Sequence, residues 1–394
     1  MFNFSFGFPK VISADSAACT PIDRRVLRVV TRVAQKWGGN PSSIHMGGVG
    51  ANKTLTSARK KIADLIFAQP DEIIFTSSGT ESNNLAILGV ARDYQQKNKK
   101  VGTIVTIATE HKSVLEPIQQ LEKEGWTANI LPVNKAGQIT VGDLKVDDLA
   151  GVALISISIA NNEIGTLHPV KEIVRLARLA RKNNNSAYPL VHIDACQAPR
   201  FLALDVRKLG ADLITINSSK IYGPKGTAIL YKTRSVELLP IVYGGGQEQG
   251  LRSGTQNVAG AVGLAIALEI CFKNQTTEAE EMKKLQTRFI NEAQKHLPTI
   301  IFHGDLDNRL PNKINFTLPG YDAEWLCLWL DSKGIEASTG SACSHNFSND
   351  NHVLAALYGE NMPKEGSIRL SFGRNVSQKD IAKIIKVLKE IPTP

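Results

Sequence analysis

Short apolar runs rich in Ile, Val and Leu alternate with longer amphipathic stretches through the first two thirds of the chain. The runs EIIFTS (72–77), TIVTIA (103–108), ANILPV (128–133), ALISISI (153–159), LVHIDA (190–195), LITIN (213–217) and AILYK (228–232) predict strands. Between them, helical spacing predicts helices from Pro21 to Trp37 (Val26, Leu27, Val30, Val33), over 54–68 (Ala58, Ile62, Leu65, Ile66), from Glu81, from Lys112, and from Pro169 to Lys182. GGNPSSIHMGG (38–48) reads as a loop from its Gly, Pro, Asn and Ser content. Strands alternating with helices imply an α/β fold, a mostly parallel sheet covered by helices on both faces.

The texture changes after about residue 265. A long polar helix (Glu278 to His296), strands at IIFHG, KINFTL, IEAST and SIRLSFG, a helix from Ala323 to Ser332 and a last helix after Ser377, with Asp380 as its capping-box partner, predict a smaller α+β domain. The expected division is a large domain over 21–264 and a small domain made of 1–20 and 265–394.

Composition adds limits. The 394 residues, 42% hydrophobic and 21% charged, describe an ordinary globular chain. No uninterrupted apolar run approaches the roughly 18 residues of a membrane span, and the start MFNFSFGFPK does not read as a secretory signal. The net charge of +9 is spread along the chain, apart from short clusters such as Arg59-Lys60-Lys61, so direct nucleic-acid binding is not expected. Five cysteines without a CxxC pair indicate neither a disulfide framework nor a zinc site. The expected location is the cytoplasm.

Several strand ends carry chemistry. DLITINSSKIYGPKG presents Lys220 at the carboxyl end of a strand, where open α/β sheets place ligands. It suits an amine nucleophile, and a surface turn lysine fits the same residues. In LVHIDACQ a carboxylate, Asp194, interrupts a buried-type strand; it suits the ring nitrogen of a pyridoxal cofactor or, equally, a helix cap. TSSGTESNN runs from a strand into a helix and offers backbone N–H groups to a phosphate, or a simple N-cap. His111 in TEHKS and Asn162 in ANNEIGT also end strands, the first suited to proton transfer, the second to a hydrogen bond with a ligand or to a turn. GGGQEQGLRSGTQN (244–257) is either a phosphate-approaching loop or a connector, and Cys343 is the soft nucleophile of a long small-polar loop (338–351). Arg369, inside a strand, fits a substrate carboxylate or an internal salt bridge.

Together and in this order, DSAACTP, NPSSIH, TSSGTESNN, TEHKSVL, ANNEIGT, HIDACQ, SSKIYGPKG, RSGTQN, TGSAC and SIRLSFGR closely resemble the cysteine desulfurases, pyridoxal 5'-phosphate (PLP) enzymes of the class V aminotransferase group with fold type I. The resemblance covers nearly the whole chain. It implies that Lys220 holds the cofactor's aldehyde, Asp194 pairs with the ring nitrogen, Gln197 bonds the ring oxygen, and His111 stacks on the ring and shuttles protons. It places Gly79, Thr80, Asn217 and Ser219 around the phosphate, with Thr255 supplied by the other subunit of a homodimer. Asn162 and Arg369 would hold the ring oxygen or the substrate carboxylate. Cys343, in a longer loop of the mobile-cysteine subgroup, would take sulfur from L-cysteine as a persulfide. The sulfur would then pass to an acceptor protein for iron–sulfur cluster assembly or tRNA thiolation. No metal is implied.

Three features depart from the pattern. Ser219 stands where the family usually has histidine, Cys19 replaces a small hydroxyl residue, and the chain stops at Pro394, without the tail some relatives use to dock a scaffold. Alternative readings are selenocysteine lyase, another class V enzyme of this fold with Cys343 incidental, or a partner-binding protein that has lost catalysis. A nucleotide-binding protein is disfavoured because neither GxGxxG nor a Walker pattern occurs.

Overall fold

The computed structural model describes residues 11–140, 142, 144–340 and 351–392. The first two thirds build a seven-stranded sheet from β2 (Ile73–Thr76), β3 (Thr103–Ile107), β4 (Thr127–Leu131), β5 (Val152–Ser158), β6 (Leu190–Asp194), β7 (Leu213–Asn217) and β8 (Ala228–Lys232), ordered β2-β8-β7-β6-β5-β3-β4. β8 is antiparallel to both its neighbours, and every other pair is parallel. Every residue of β5 and β6 is buried, as expected of strands covered on both faces. Parallel order turns the carboxyl ends of β2, β3, β5, β6 and β7 to one edge. Gly79, Thr80, His111, Asn162, Asp194 and Lys220 lie at or beyond those ends.

Helices α1 (Arg24–Lys36), α2 (Met46–Ile66), α3 (Gly79–Asn98), α4 (Lys112–Lys123), α5 (Val170–Asn183) and the short α6 (Val206–Leu209) connect and cover the strands. Two expectations needed correction. The GGNPSSIHMGG loop ends early, because the His45 side chain caps α2 by accepting from Gly48 N, so Met46–Gly48 are helical. The polar helix expected from Glu278 is α7, which runs unbroken over 39 residues, Val258–His296. Its first half is apolar, enough by length and hydropathy to cross a bilayer, but half of that window is buried inside the protein, and the helix packs on α1 and α2. The boundary expected between 264 and 265 falls inside α7.

The remaining chain forms β9 (Ile301–Phe302), β10 (Lys313–Thr317), α8 (Ala323–Ser332), β11 (Ile335–Glu336), β12 (Ser338–Thr339), α9 (His352–Tyr358), β13 (Ile368–Ser371) and α10 (Gln378–Lys389), the last with the expected Ser377/Asp380 capping box. β12-β13-β10-β9 is an antiparallel sheet, packed by α8. The N-terminal strand β1 (Ile12–Ser13) joins this part of the molecule, pairing in parallel with β11, and Asp15 bridges to Ser371. Glu278 of α7 is buried between two guanidinium groups, 2.7 Å from both Arg200 Nε and Arg374 Nε, and so links the large sheet's loops to the chain that follows β13.

His168, after β5, is buried and neither ring nitrogen has a hydrogen-bond partner among the described residues. Burial lowers its pKa from 6.5 to about 4. The unfolded chain takes up this proton first, so stability is full above pH 6.5 and falls as the pH drops toward 4. His168→Leu removes that loss. Its melting temperature is expected to exceed the parent's more at pH 5 than at pH 7, with a gain of about 2 kcal/mol at pH 5, and an equal difference at both pH values would contradict this account.

Candidate active site

The carboxyl edge of the sheet opens into a cavity of about 360 Å³, lined by residues from the ends of β2, β3, β5, β6 and β7, from the N-terminal segment and from the β10–β13 region. Volume and position match a small-ligand site in an open α/β sheet. Of the residues expected from sequence, Gly79, Thr80, His111, Asn162, Asp194, Gln197, Asn217, Lys220 and Arg369 line it.

One end is an anion cradle. Ser78 caps α3, accepting from Glu81 N at 3.1 Å, and leaves the amides of Gly79 and Thr80 at the mouth of a 20-residue helix. A Cβ at position 79 would stand 2.7 Å from Cys196 Sγ and 3.5 Å from Asn217 Nδ2, so any side chain would crowd the cradle. Ser219 is outside the lining; its hydroxyl donates to Asn217 Oδ1 at 3.1 Å and its N–H to the same atom at 3.0 Å, bracing the side chain of a lining residue. Thr255 is exposed and also outside the lining.

The middle holds the titratable groups. Asp194 Oδ2 accepts from Asn83 Nδ2 and Oδ1 from Cys196 N, each at 2.8 Å. His111 caps α4, and Nδ1 accepts from Ser113 N at 3.0 Å, which places the proton of a neutral ring on Nε2. Burial lowers the His111 pKa, with Asp194 opposing and Lys220, His352 and Arg369 adding to the fall. Lys220 ends a single 3₁₀ turn after β7, and its Nζ donates to Ala18 O. Thr20 holds that turn, its N–H and hydroxyl both reaching Ser219 O, at 2.8 and 3.0 Å. Gln197 Nε2 donates to Ala17 O at 3.2 Å.

At the other end the two amides of ANNEIGT divide the work. Asn161 is buried and shapes the turn, accepting from Glu163 N and Ile164 N at 2.8 and 2.9 Å, while the neighbouring Asn162 lines the cavity. Arg369 is buried: Nη2 is 2.7 Å from Asp15 Oδ1, Nη1 donates to Asn162 O at 3.4 Å, and Nε has no partner among the described residues. Of the two sequence alternatives for this arginine, the internal salt bridge is present, and the residue also lines the cavity. Cys343 lies outside the described residues; Gly340 and Asn351, on either side of it in sequence, both line the cavity.

Sequence reasoning missed Asn83, Cys196, Glu163, Asn351 and His352, all in the lining. Asn83 was within reach, four residues beyond Gly79 and hence on the same helix face. Glu163 is buried, accepts from Asn351 Nδ2 at 3.1 Å, and has its pKa raised by burial to about 7. Glu110, behind His111, is raised by burial to about 8; its Oε1 accepts from Ser158 N at 2.6 Å, while the buried Oε2 has no partner among the described residues. No periodicity marks these contacts in the sequence, because they join distant segments.

A helix N-terminus for a phosphate, a carboxylate for a ring nitrogen, a strand-end lysine and a buried arginine in the cavity wall fit PLP bearing an amino acid. The aminotransferase class-V family model matches residues 12–384. The chain is 40% identical over 381 residues to cysteine desulfurase IscS of Dictyoglomus turgidum, covering 96% of this chain and 93% of that protein. Among solved structures, a NifS-like protein superposes with a TM-score of 0.88 at 33% identity, covering 97% of this chain and 99% of that one. SspA, solved in complex with cysteine, superposes with a TM-score of 0.78 at 30% identity over 92% and 99%. The chain belongs to the class-V aminotransferase family and, within these PLP-dependent enzymes of fold type I, to the cysteine desulfurases.

Proposed function

We propose that this enzyme takes the sulfur of L-cysteine onto Cys343, releases L-alanine, and passes the persulfide sulfur to an acceptor protein serving iron–sulfur cluster assembly or tRNA thiolation. The carrying observation is the convergence of Lys220, Asp194, His111, Asn162 and Arg369 on one cavity from separate strands. The cysteine bound by the related SspA supports the substrate.

PLP, held by Lys220, supplies an electron sink that makes the α-proton of an attached amino acid acidic. Gly79, Thr80 and Asn217 hold its phosphate, and Asp194, kept in place by Asn83 and the Cys196 N–H, faces its ring nitrogen. Arg369, oriented by Asp15, would bind the substrate carboxylate with the part of its guanidinium that lines the cavity. Lys220 and the neutral His111 carry protons to and from the substrate. The Cys343 thiolate attacks the substrate sulfur: the carbon–sulfur bond breaks, a sulfur–sulfur bond forms, and the electron pair left on carbon takes a proton to become alanine.

A homodimer is part of this reading. Thr255 stands exposed away from its own cavity, and Ile44 and Met46, 97% and 89% exposed around the start of α2, suit a covered surface. A cytoplasmic location is supported by free thiols at Cys19, Cys196, Cys271 and Cys327. The purified holoenzyme is expected to show a visible cofactor band that changes on addition of L-cysteine, with alanine and protein persulfide formed in equal amounts in a single turnover. An unchanged band, or alanine without persulfide, contradicts the reading.

A further inference from the structure

Lys313 opens β10 with its side chain fully buried, and its Nζ donates to Gln197 Oε1 at 2.9 Å. Among the described residues it has no carboxylate within ion-pair distance. The charged groups around it are the cations Arg369, Lys220 and Arg200 and, at longer range, the carboxyls of Asp15 and Glu163. Burial, followed by those three cations, drives its pKa well below the ordinary lysine value. A buried amine without a carboxylate in direct ion-pair contact is costly to keep in a core. Packing alone would be served better by an apolar residue of the same length.

The partner of this amine is a cavity residue. A glutamine side chain has nearly the same shape with its oxygen and nitrogen exchanged, and only its hydrogen bonds decide which way it faces. Ala17 O can only accept, so it takes the amide nitrogen at 3.2 Å; Lys313 donates to the oxygen. One hydrogen of Nε2 is thereby committed to Ala17, and the second is left for the cavity that Gln197 lines. Gln286 of α7 holds the backbone of the lysine, its Nε2 donating to Lys313 O at 2.8 Å and to Leu310 O at 3.0 Å.

We propose that Lys313 is a positioning residue for the cofactor: it locks the Gln197 amide with an N–H toward the cavity, where that N–H donates to the ionised ring oxygen of PLP. The inference rests on the reading of Gln197 as the ring-oxygen contact. Lys313 acts through Gln197 and touches neither cofactor nor substrate.

The test is a pH titration of the visible absorbance of the holoenzyme without substrate, for the parent, Lys313→Met, Gln197→Ala and the double variant, with melting temperatures read alongside. A donor to the ring oxygen favours its ionised form and so lowers the pH midpoint of the spectral change. Lys313→Met is expected to raise the midpoint by about half a unit to one unit. Gln197→Ala raises it at least as far, and the double variant shifts no further than Gln197→Ala. Lys313→Gln, which keeps an N–H₂ donor, stays closer to the parent than Lys313→Met does. A parental midpoint in Lys313→Met beside a shifted Gln197→Ala overturns the role of Lys313 and leaves the Gln197 reading standing. A parental midpoint in Gln197→Ala overturns both. Additive shifts in the double variant show a direct charge effect and also overturn the proposal. Should Lys313→Met not give folded holoenzyme, Lys313→Leu takes its place in the same comparison.

Discussion

Lys220→Ala is expected to lower alanine formation from cysteine by about 10³-fold or more, since removing the covalent anchor of a reaction costs far more than any single contact around it. The structural cost is small. The Nζ bond to Ala18 O is one hydrogen bond worth about 1 kcal/mol, and the turn that carries the lysine is held independently by Thr20 and Asn217. The variant should therefore fold with a melting temperature close to that of the cofactor-free parent and lose its cofactor on dialysis. Borohydride reduction followed by peptide mass mapping should place a pyridoxyl group on the peptide containing position 220 in the parent and on none in the variant. A pyridoxyl group fixed on another lysine would move the anchor elsewhere and end the assignment.

Cys343→Ala is expected to separate the two halves of the chemistry. All the described groups that line the cavity remain, so the variant should bind cofactor, keep its visible band and still respond to cysteine spectrally. Persulfide formation should fall by about 10³-fold or more, because the thiolate that accepts sulfur is gone. The covalent chain tethers residue 343 to the lining residue Gly340 by three residues, about 11 Å at full extension, which sets the reach of the thiol. Alkylation mass spectrometry after one turnover reads the extra sulfur directly. Undiminished sulfur transfer from this variant would make Cys343 incidental.

Most of the large sheet was legible in the chain because each of its buried strands is a short β-branched run ended by small polar residues. The strand-end site residues were legible for the same reason: a charge or an amide at the end of an apolar run stands out. The contact of Ser219 with Asn217 Oδ1 was not legible, because its motif position speaks of the phosphate and says nothing of a neighbouring acceptor two residues back. α7 was cut short because its apolar half and its polar half show different textures, and a helix that is core at one end and surface at the other has no single pattern. Lys313 left no sign at all. A lysine ahead of an INFT run reads as the solvated start of a strand, and only tertiary packing buries it against Gln197.

The pairing of β1 with β11, and of Asp15 with Ser371 and Arg369, bears on how the enzyme is made. The segment that carries Ala17 and Ala18 is separated from these neighbours by more than 300 residues of chain. Since Ala17 and Ala18 receive Gln197 and Lys220 while Arg369 lines the same cavity, the site is complete only when residues from both ends of the chain have come together.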